Sequence, residues 1–141
     1  MPQRGYDTNL ASEFYILSVL YRLGLEAYMT LSNKKAIDII VNLGSARTVT
    51  IDVKGVKKKN DWWLGKSSSS PTANHFVVLV GYEGVFANPR SLPRVWVLPH
   101  SIIVNLTKHT PKGVPFLSRK EVLARCAEYE DNWQTVANNA I

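Results

Sequence analysis

The stretch AIDIIVNLGSARTVTIDVKG, residues 36–55, contains the clearest structural signal in the chain. Two runs within it, Ala36 to Val41 and Thr48 to Val53, are dominated by β-branched residues, which favour strands. A turn-prone segment containing Gly44 and Ser45 separates the two runs. This arrangement predicts a β-hairpin.

Charged side chains stand out on both predicted strands. Successive side chains of a strand point to opposite faces, so Thr50, Asp52 and Lys54 are expected to share one face. Asp38 lies among apolar residues of the preceding strand, where a carboxylate without a charged partner is costly. If the strands pair, the two aspartates approach each other and repel unless a proton or a cation lies between them.

A magnesium ion is the natural compensation, because it takes carboxylate oxygens and keeps waters that can bind phosphate. The pattern therefore predicts metal-assisted phosphodiester hydrolysis, in which the Lys54 ammonium orients the attacking water or stabilises charge on the phosphate. The alternative for Asp52 and Lys54 is a same-face ion pair, which at an exposed site contributes only about 0–1 kcal/mol.

The first helix supplies a further acid. Positions three, four and seven after Glu13 are Ile16, Leu17 and Leu20, which belong to the apolar stripe expected to face the sheet. Glu13 is therefore expected to point inward, toward the two aspartates. The alternative role is interaction with the positive end of the helix dipole.

The remaining pattern predicts an α/β fold with a mixed central sheet flanked by helices, in a single domain over residues 1–141. Three further strands are expected at Glu26 to Leu31, His75 to Tyr82 and Arg94 to Leu98. The first helix is expected to start at an Asn9 cap and to bury Leu10, Phe14, Leu17 and Tyr21. The last helix is expected to start at a Ser118 cap, with Glu121 in the capping box. Its buried side is expected to carry Val122, Leu123, Cys126 and Tyr129. Residues 101–106 fit a strand or a helical turn equally well.

A basic segment with tryptophans follows the hairpin, in a long loop expected at about residues 55–72. Lysines bind phosphates and indole rings stack on bases, so this segment predicts a nucleic-acid-binding surface. The expected binding residues are Lys34, Lys35, Lys57, Lys58, Lys59, Trp62, Trp63 and Lys66. Two alternatives stay open, namely a lysine-rich loop that only aids solubility and a tryptophan that packs into the core.

Composition excludes several other classes of protein. The net charge of +6 favours a polyanionic partner, and one cysteine, Cys126, rules out an internal disulfide or a cysteine-based zinc site. No apolar run is long enough for a membrane span, and the first residues lack the apolar stretch of a signal peptide. We therefore expect a cytoplasmic protein.

Residues 36–41 and 51–55 resemble the core of the PD-(D/E)xK, or restriction-endonuclease-like, superfamily, and are most similar to its Holliday-junction-resolvase-like branch. In that superfamily an acid on the first helix, an aspartate opening the second core strand, and an acid and a lysine on the third bind divalent cations and cut nucleic acid. The resemblance implies a restriction-endonuclease-like core whose catalytic residues are Glu13, Asp38, Asp52 and Lys54, with Glu13, Asp38, Asp52 and the Val53 carbonyl as metal ligands.

Two positions depart from the family pattern. Ile37 stands in place of the proline, and Asp52 stands in place of the more frequent glutamate. Neither change removes a metal ligand, because proline coordinates nothing and aspartate only shortens the reach.

The expected function is a Mg²⁺- or Mn²⁺-dependent endonuclease acting on DNA, including branched or single-stranded forms. A nuclease-like subunit that binds nucleic acid or protein without cutting is the main alternative, and an RNA-directed relative is another. Symmetric cleavage of a duplex or junction would favour a homodimer.

Overall fold

A five-stranded sheet forms the centre of the computed structural model, which describes residues 5–30, 37–65 and 73–138. The helices within these ranges are α1 (Gly5–Arg22), α2 (His100–Leu106), α3 (Arg119–Arg125) and α4 (Gln134–Asn138). The strands are β1 (Glu26–Met29), β2 (Ile39–Gly44), β3 (Arg47–Val56), β4 (Trp62–Trp63), β5 (His75–Gly81), β6 (Arg94–Pro99), β7 (Lys108–His109) and β8 (Pro115–Leu117).

The central sheet has the strand order β1-β2-β3-β5-β6 and is mixed, as predicted. Strands β1, β2 and β3 are antiparallel neighbours, β3 and β5 are parallel, and β5 and β6 are antiparallel. The predicted hairpin is present, with Ile39 opposite Ile51. Its tight turn holds Ser45 and Ala46, both at positive φ, as the favoured two-residue hairpin turns require.

Apolar side chains cover both faces of the sheet. On the first face, Ile51 and Val53 join a core that includes Ile16 of α1 and Val136 of α4. The opposite face is covered by a second core, to which α2, α3 and a small sheet of order β4-β8-β7 contribute. The α/β class with flanking helices is therefore confirmed. Among the described residues, no helix combines the length and apolar character needed to span a lipid bilayer.

The buried face of α1 differs in part from the prediction. Ile16 and Leu20 are buried as expected, but Leu10, Phe14 and Tyr21 are exposed, and Thr8 and Ser12 are buried instead. Gly5 is already helical, so the expected cap at Asn9 is wrong. The small side chains of Thr8 and Ser12 are buried because α1 approaches β3 closely at Gly55, where larger residues would not fit.

The Gly55 crossing leads to a prediction about stability. A Cβ at this position would overlap the Ser12 Oγ and lie 3.0 Å from the Ser12 Cβ. We expect Gly55→Ala to lower the free energy of unfolding by about 1–3 kcal/mol, measured by urea denaturation, because the packed crossing must open. Gly5→Ala is the matched control, since its Cβ would meet nothing within 4 Å. Equal stability of the two variants would contradict this account of the crossing.

The long loop expected at 55–72 is partly regular structure. Strand β3 continues to Val56, and β4 pairs with β8 from near the end of the chain. Trp62 is fully buried, lies edge-to-face on Trp96 with ring centroids 5.5 Å apart, and donates its Nε1 hydrogen to the Val80 carbonyl. Of this expected loop, residues 66–72 lie outside the described residues.

The N-terminus of α3 is stabilised by a different residue from the one predicted. Ser118 is at the N-cap position, but its hydroxyl makes no capping hydrogen bond. The Asp61 carboxylate accepts the Arg119 N–H instead, at 2.8 Å. Val122 and Cys126 are buried as expected, whereas Leu123 is exposed. The undecided segment 101–106 is helical, within α2.

Candidate active site

The site lies at a fork where β2 separates from β3. Asp38 immediately precedes β2, and its backbone N–H still bonds to the Ile51 carbonyl at 2.8 Å. Beyond that point the strands part, and the Asp38 carboxylate accepts the N–H of Val53 at 2.7 Å. The Asp38 side chain therefore accepts the Val53 N–H in place of a backbone carbonyl of a paired strand. The aspartate that the sequence placed among apolar neighbours is held at the mouth of an open pocket.

Asp52 and Lys54 point to the same side of β3, as the alternation predicted. Lys54 Nζ lies 3.4 Å from Asp52 Oδ2, and Asp52 is only 4% exposed. Burial raises the pKa of Asp52 to about 8, and hydrogen bonding to Asp38 adds to this, although the nearby Lys54 ammonium opposes the shift. Desolvation outweighs the ion pair because the carboxyl group is almost fully removed from water.

Glu13 reaches the same pocket from α1. Burial raises its pKa to about 7, and a side-chain hydrogen bond with Asp38 together with repulsion between the two acids contributes to the shift. Asp38 thus contributes to the raised pKa of both other acids. The structure brings Glu13, Asp38, Asp52 and Lys54 together around one pocket of about 440 Å³.

The Val53 carbonyl is directed toward the same fork. Thr50 and Val56 bond through their backbones to the β5 side, whereas Ile51 and Val53 bond to the β2 side. In a strand, the N–H and C=O of one residue point to the same side. Because the Val53 N–H points to Asp38, the Val53 oxygen also faces the gap between the strands.

Two residues near the acids were not predicted. Asn9 lies one helical turn before Glu13 and lines the pocket, and the four-residue spacing was the signal for it. His75 lies opposite Thr50 on β5, and its Nδ1 is 2.6 Å from the Thr50 hydroxyl oxygen. Burial lowers the pKa of His75, with a contribution from His100, so its ring is neutral at pH 7.

The basic and aromatic residues divide into distinct groups. Lys58 and Lys59 are exposed, and Lys57 Nζ lies 5.6 Å from the ring centroid of Phe86. Both tryptophans line the pocket, but Trp63 is 57% exposed, whereas Trp62 is fully buried, which is incompatible with the predicted base stacking. The predicted binding residues Lys34, Lys35 and Lys66 lie outside the described residues.

The donor set consists of oxygen atoms, which suits Mg²⁺ or Mn²⁺. No three His, Cys, Asp or Glu side chains within residues 5–30, 37–65 and 73–138 are already arranged around a single metal position. Glu13 and Asp52 instead have raised pKa values, to which Asp38 contributes in both cases. Cation binding would therefore require the loss of protons from these acids.

The raised pKa values of Glu13 and Asp52 lead to a prediction about pH. Between the unfolded pKa values near 4 and the folded values near 7 and 8, the native state binds more protons than the unfolded state. The stability of the metal-free protein therefore falls as pH rises through this window. We expect the midpoint of urea unfolding in EDTA to decrease from pH 6.5 to pH 8.5, and Glu13→Gln to reduce that decrease. A midpoint that rises with pH would contradict this assignment of protons.

The chain shares its α/β fold with a protein of known structure. It matches the structure of a bacterial homing endonuclease, I-Ssp6803I, with a TM-score of 0.63 over 96% of this chain and 95% of that chain. The two sequences are 10% identical, so the likeness establishes the fold. No protein-family model and no curated protein sequence matches the chain.

Proposed function

We propose that this protein is a divalent-metal-dependent endonuclease that hydrolyses phosphodiester bonds in DNA. The observation that carries the proposal is the convergence of Glu13, Asp38 and Asp52 beside Lys54 in one open pocket. These residues come from a helix, from the residue before a strand and from a strand middle, and Asp52 is buried. The fold shared with a homing endonuclease supports the same reading.

We further propose that the chain is a PD-(D/E)xK nuclease related to the Holliday-junction-resolvase-like branch. The support is the order of the site along the chain, with an acid on α1, an aspartate at the start of β2, and an acid and a lysine two positions apart on β3. Ile37 stands where the family has proline, and the Asp38 carboxylate is held by the Val53 N–H.

Glu13, Asp38, Asp52 and the Val53 carbonyl would hold the cation. A bound Mg²⁺ or Mn²⁺ supplies Lewis acidity toward phosphoryl oxygens and water. Lys54 is one quarter exposed and lies at the pocket surface, where its ammonium can donate to a phosphate oxygen or orient the attacking water. Its proximity to Asp52 also offsets part of the cost of ionising that buried acid.

The second candidate is a nuclease-like protein that binds nucleic acid or another protein without cutting. The observation that favours it is that, in the described part of the chain, the carboxyl groups are not pre-arranged around a cation. Under this reading DNA binding weakens steeply with salt, as lysine–phosphate contacts do, but metal has no effect.

A nuclease assay separates the two candidates. Purified protein is incubated with supercoiled, linear, branched and single-stranded DNA, and with RNA, in Mg²⁺, Mn²⁺ or EDTA. We expect cutting of at least one DNA form in either metal and none in EDTA. Salt-dependent binding without cutting in any metal would favour the second candidate. Preference for DNA over RNA, action on branched substrates and a dimeric state remain predictions.

A further inference from the structure

The small sheet presents an aromatic surface to solvent. Trp63 lies directly opposite Phe116, and Phe116 lies directly opposite Lys108. Residues paired across adjacent strands point to the same face, so these three side chains form a row, here called the Trp63 platform. The neighbouring pair, Trp62 and Leu117, points to the other face and is fully buried.

The platform leaves an aromatic side chain in contact with water. Trp63 is 57% exposed, and its ring centroid lies 5.4 Å from that of Phe116 at an interplanar angle of 51°. Two adjoining aromatic rings that remain accessible in a folded protein are typical of a ligand-binding surface. Trp62 is the internal contrast, because the same side chain one position earlier is completely buried.

The basic residues on the platform and just before it in the chain suit a polyanion. Lys58 and Lys59 are exposed shortly before Trp63 in the chain, and Lys108 completes the row. Lys108 Nζ lies 3.6 Å from Glu121 with its side chain 52% exposed. An exposed ion pair of this kind is weak, so Lys108 remains available to a phosphate.

The platform is also continuous with the pocket around Glu13, Asp38, Asp52 and Lys54, here called the acid pocket. Trp63 and Gly65 form part of the pocket wall that includes Asp52 and Lys54. A nucleic-acid strand whose phosphate lies beside Lys54 would therefore bring a neighbouring base to the Trp63 platform.

We propose that the Trp63 platform stacks an unpaired DNA base adjacent to the phosphate held in the acid pocket. In a duplex, both faces of a base are covered by its neighbours, so a protein ring can stack only on a base that is unpaired or extruded. The substrate class is therefore DNA with an unpaired nucleotide at the cleavage site, as in a single strand, a flap or a bulge. This inference rests on the proposed nuclease function.

The test compares Trp63→Ala with Trp63→Tyr and with Phe14→Ala. Phe14 is the matched control because it is an aromatic residue with 59% exposure and does not line the pocket. Affinity for a fluorescent single-stranded oligonucleotide is measured by anisotropy, next to the fully paired duplex of the same sequence. We expect Trp63→Ala to weaken single-strand binding by about 5- to 100-fold and duplex binding by less than about twofold. Trp63→Tyr should recover most of the loss, and Phe14→Ala should match the wild type.

A second arm removes the base instead of the ring. An abasic site is moved along a cleavable strand, and the cutting rate is measured for wild type and Trp63→Ala, after circular dichroism has established that both are folded. We expect an abasic site at one position beside the cut to slow cutting by the wild type but not by Trp63→Ala. The reason is that the abasic site and the substitution each remove the same contact.

The other outcomes each overturn the inference. Equal losses on single strand and duplex would assign Trp63 a general role, and unchanged binding in Trp63→Ala would assign it none. If light scattering detects a dimer that Trp63→Ala dissolves, the platform is a contact between copies. Metal-dependent cutting of paired DNA that is unaffected by Trp63→Ala removes this inference alone, whereas a wild type that neither binds nor cuts DNA removes the proposed function as well.

Discussion

Asp52→Asn is expected to reduce DNA cleavage by on the order of 10³-fold or more and, in EDTA at pH 8.5, to raise the melting temperature. The activity is lost because the amide cannot replace the charged ligand. The stability is gained because Asp52 is almost fully buried with a pKa of about 8, so its ionised form destabilises the native state at that pH. An amide of the same shape carries no such cost.

The sign of the stability effect depends on pH. At pH 5.5 the wild-type carboxyl group already holds its proton, so we expect the two proteins to melt within about 1 °C of each other. At pH 8.5 the difference should reach about 3 °C or more, measured by differential scanning fluorimetry. Glu128→Gln is the control, since Glu128 is an exposed acid outside the acid pocket. A lower melting temperature for Asp52→Asn at both pH values, with cleavage retained, would contradict the assigned role.

Lys54→Met is expected to reduce cleavage to a similar extent while DNA binding changes by less than about fivefold. The side chain supplies one positive charge at the pocket surface, and methionine has a similar length without it. Because Lys54 lowers the pKa of Asp52, its removal should also shift metal binding to higher pH. Single-turnover cleavage across pH 6–9 and anisotropy with the same oligonucleotide measure the two effects.

Lys58→Met provides the comparison for Lys54→Met. Lys58 is exposed and does not line the acid pocket. Its loss should therefore weaken DNA binding modestly and lower the salt dependence of that binding, without changing the rate at which bound DNA is cut. If the two lysine variants lose binding and cleavage in parallel, Lys54 contributes only general electrostatic attraction.

The sequence was most informative where the structure depends on neighbours along the chain. The hairpin of β2 and β3 follows from β-branched runs and a turn, and the shared side of Asp52 and Lys54 follows from alternation. Glu13 could be placed because its helical spacing puts it on the same side of α1 as Ile16 and Leu20, which are buried. Each of these features depends only on residue spacing within one helix or strand, or on the pairing of one hairpin.

Contacts between distant segments could not be read in the same way. On α1, Leu10, Phe14 and Tyr21 are exposed, whereas the small side chains of Thr8 and Ser12 are buried where the helix crosses Gly55. The burial of Trp62 depends on pairing with β8, more than fifty residues later. Alternation separates Trp62 from Trp63, but it cannot decide which of the two faces the core.

Isothermal titration calorimetry with Mn²⁺ tests the central claim most directly. At pH 7.5, we expect saturable, stoichiometric binding whose heat differs between buffers of different ionisation enthalpy, because the metal displaces protons from Glu13 and Asp52. Asp38→Asn should abolish this binding. The asparagine keeps an oxygen that can accept the Val53 N–H, so the local structure should be preserved. Absence of binding to the wild type, or binding that is unchanged in Asp38→Asn, would contradict a cation site built from these acids.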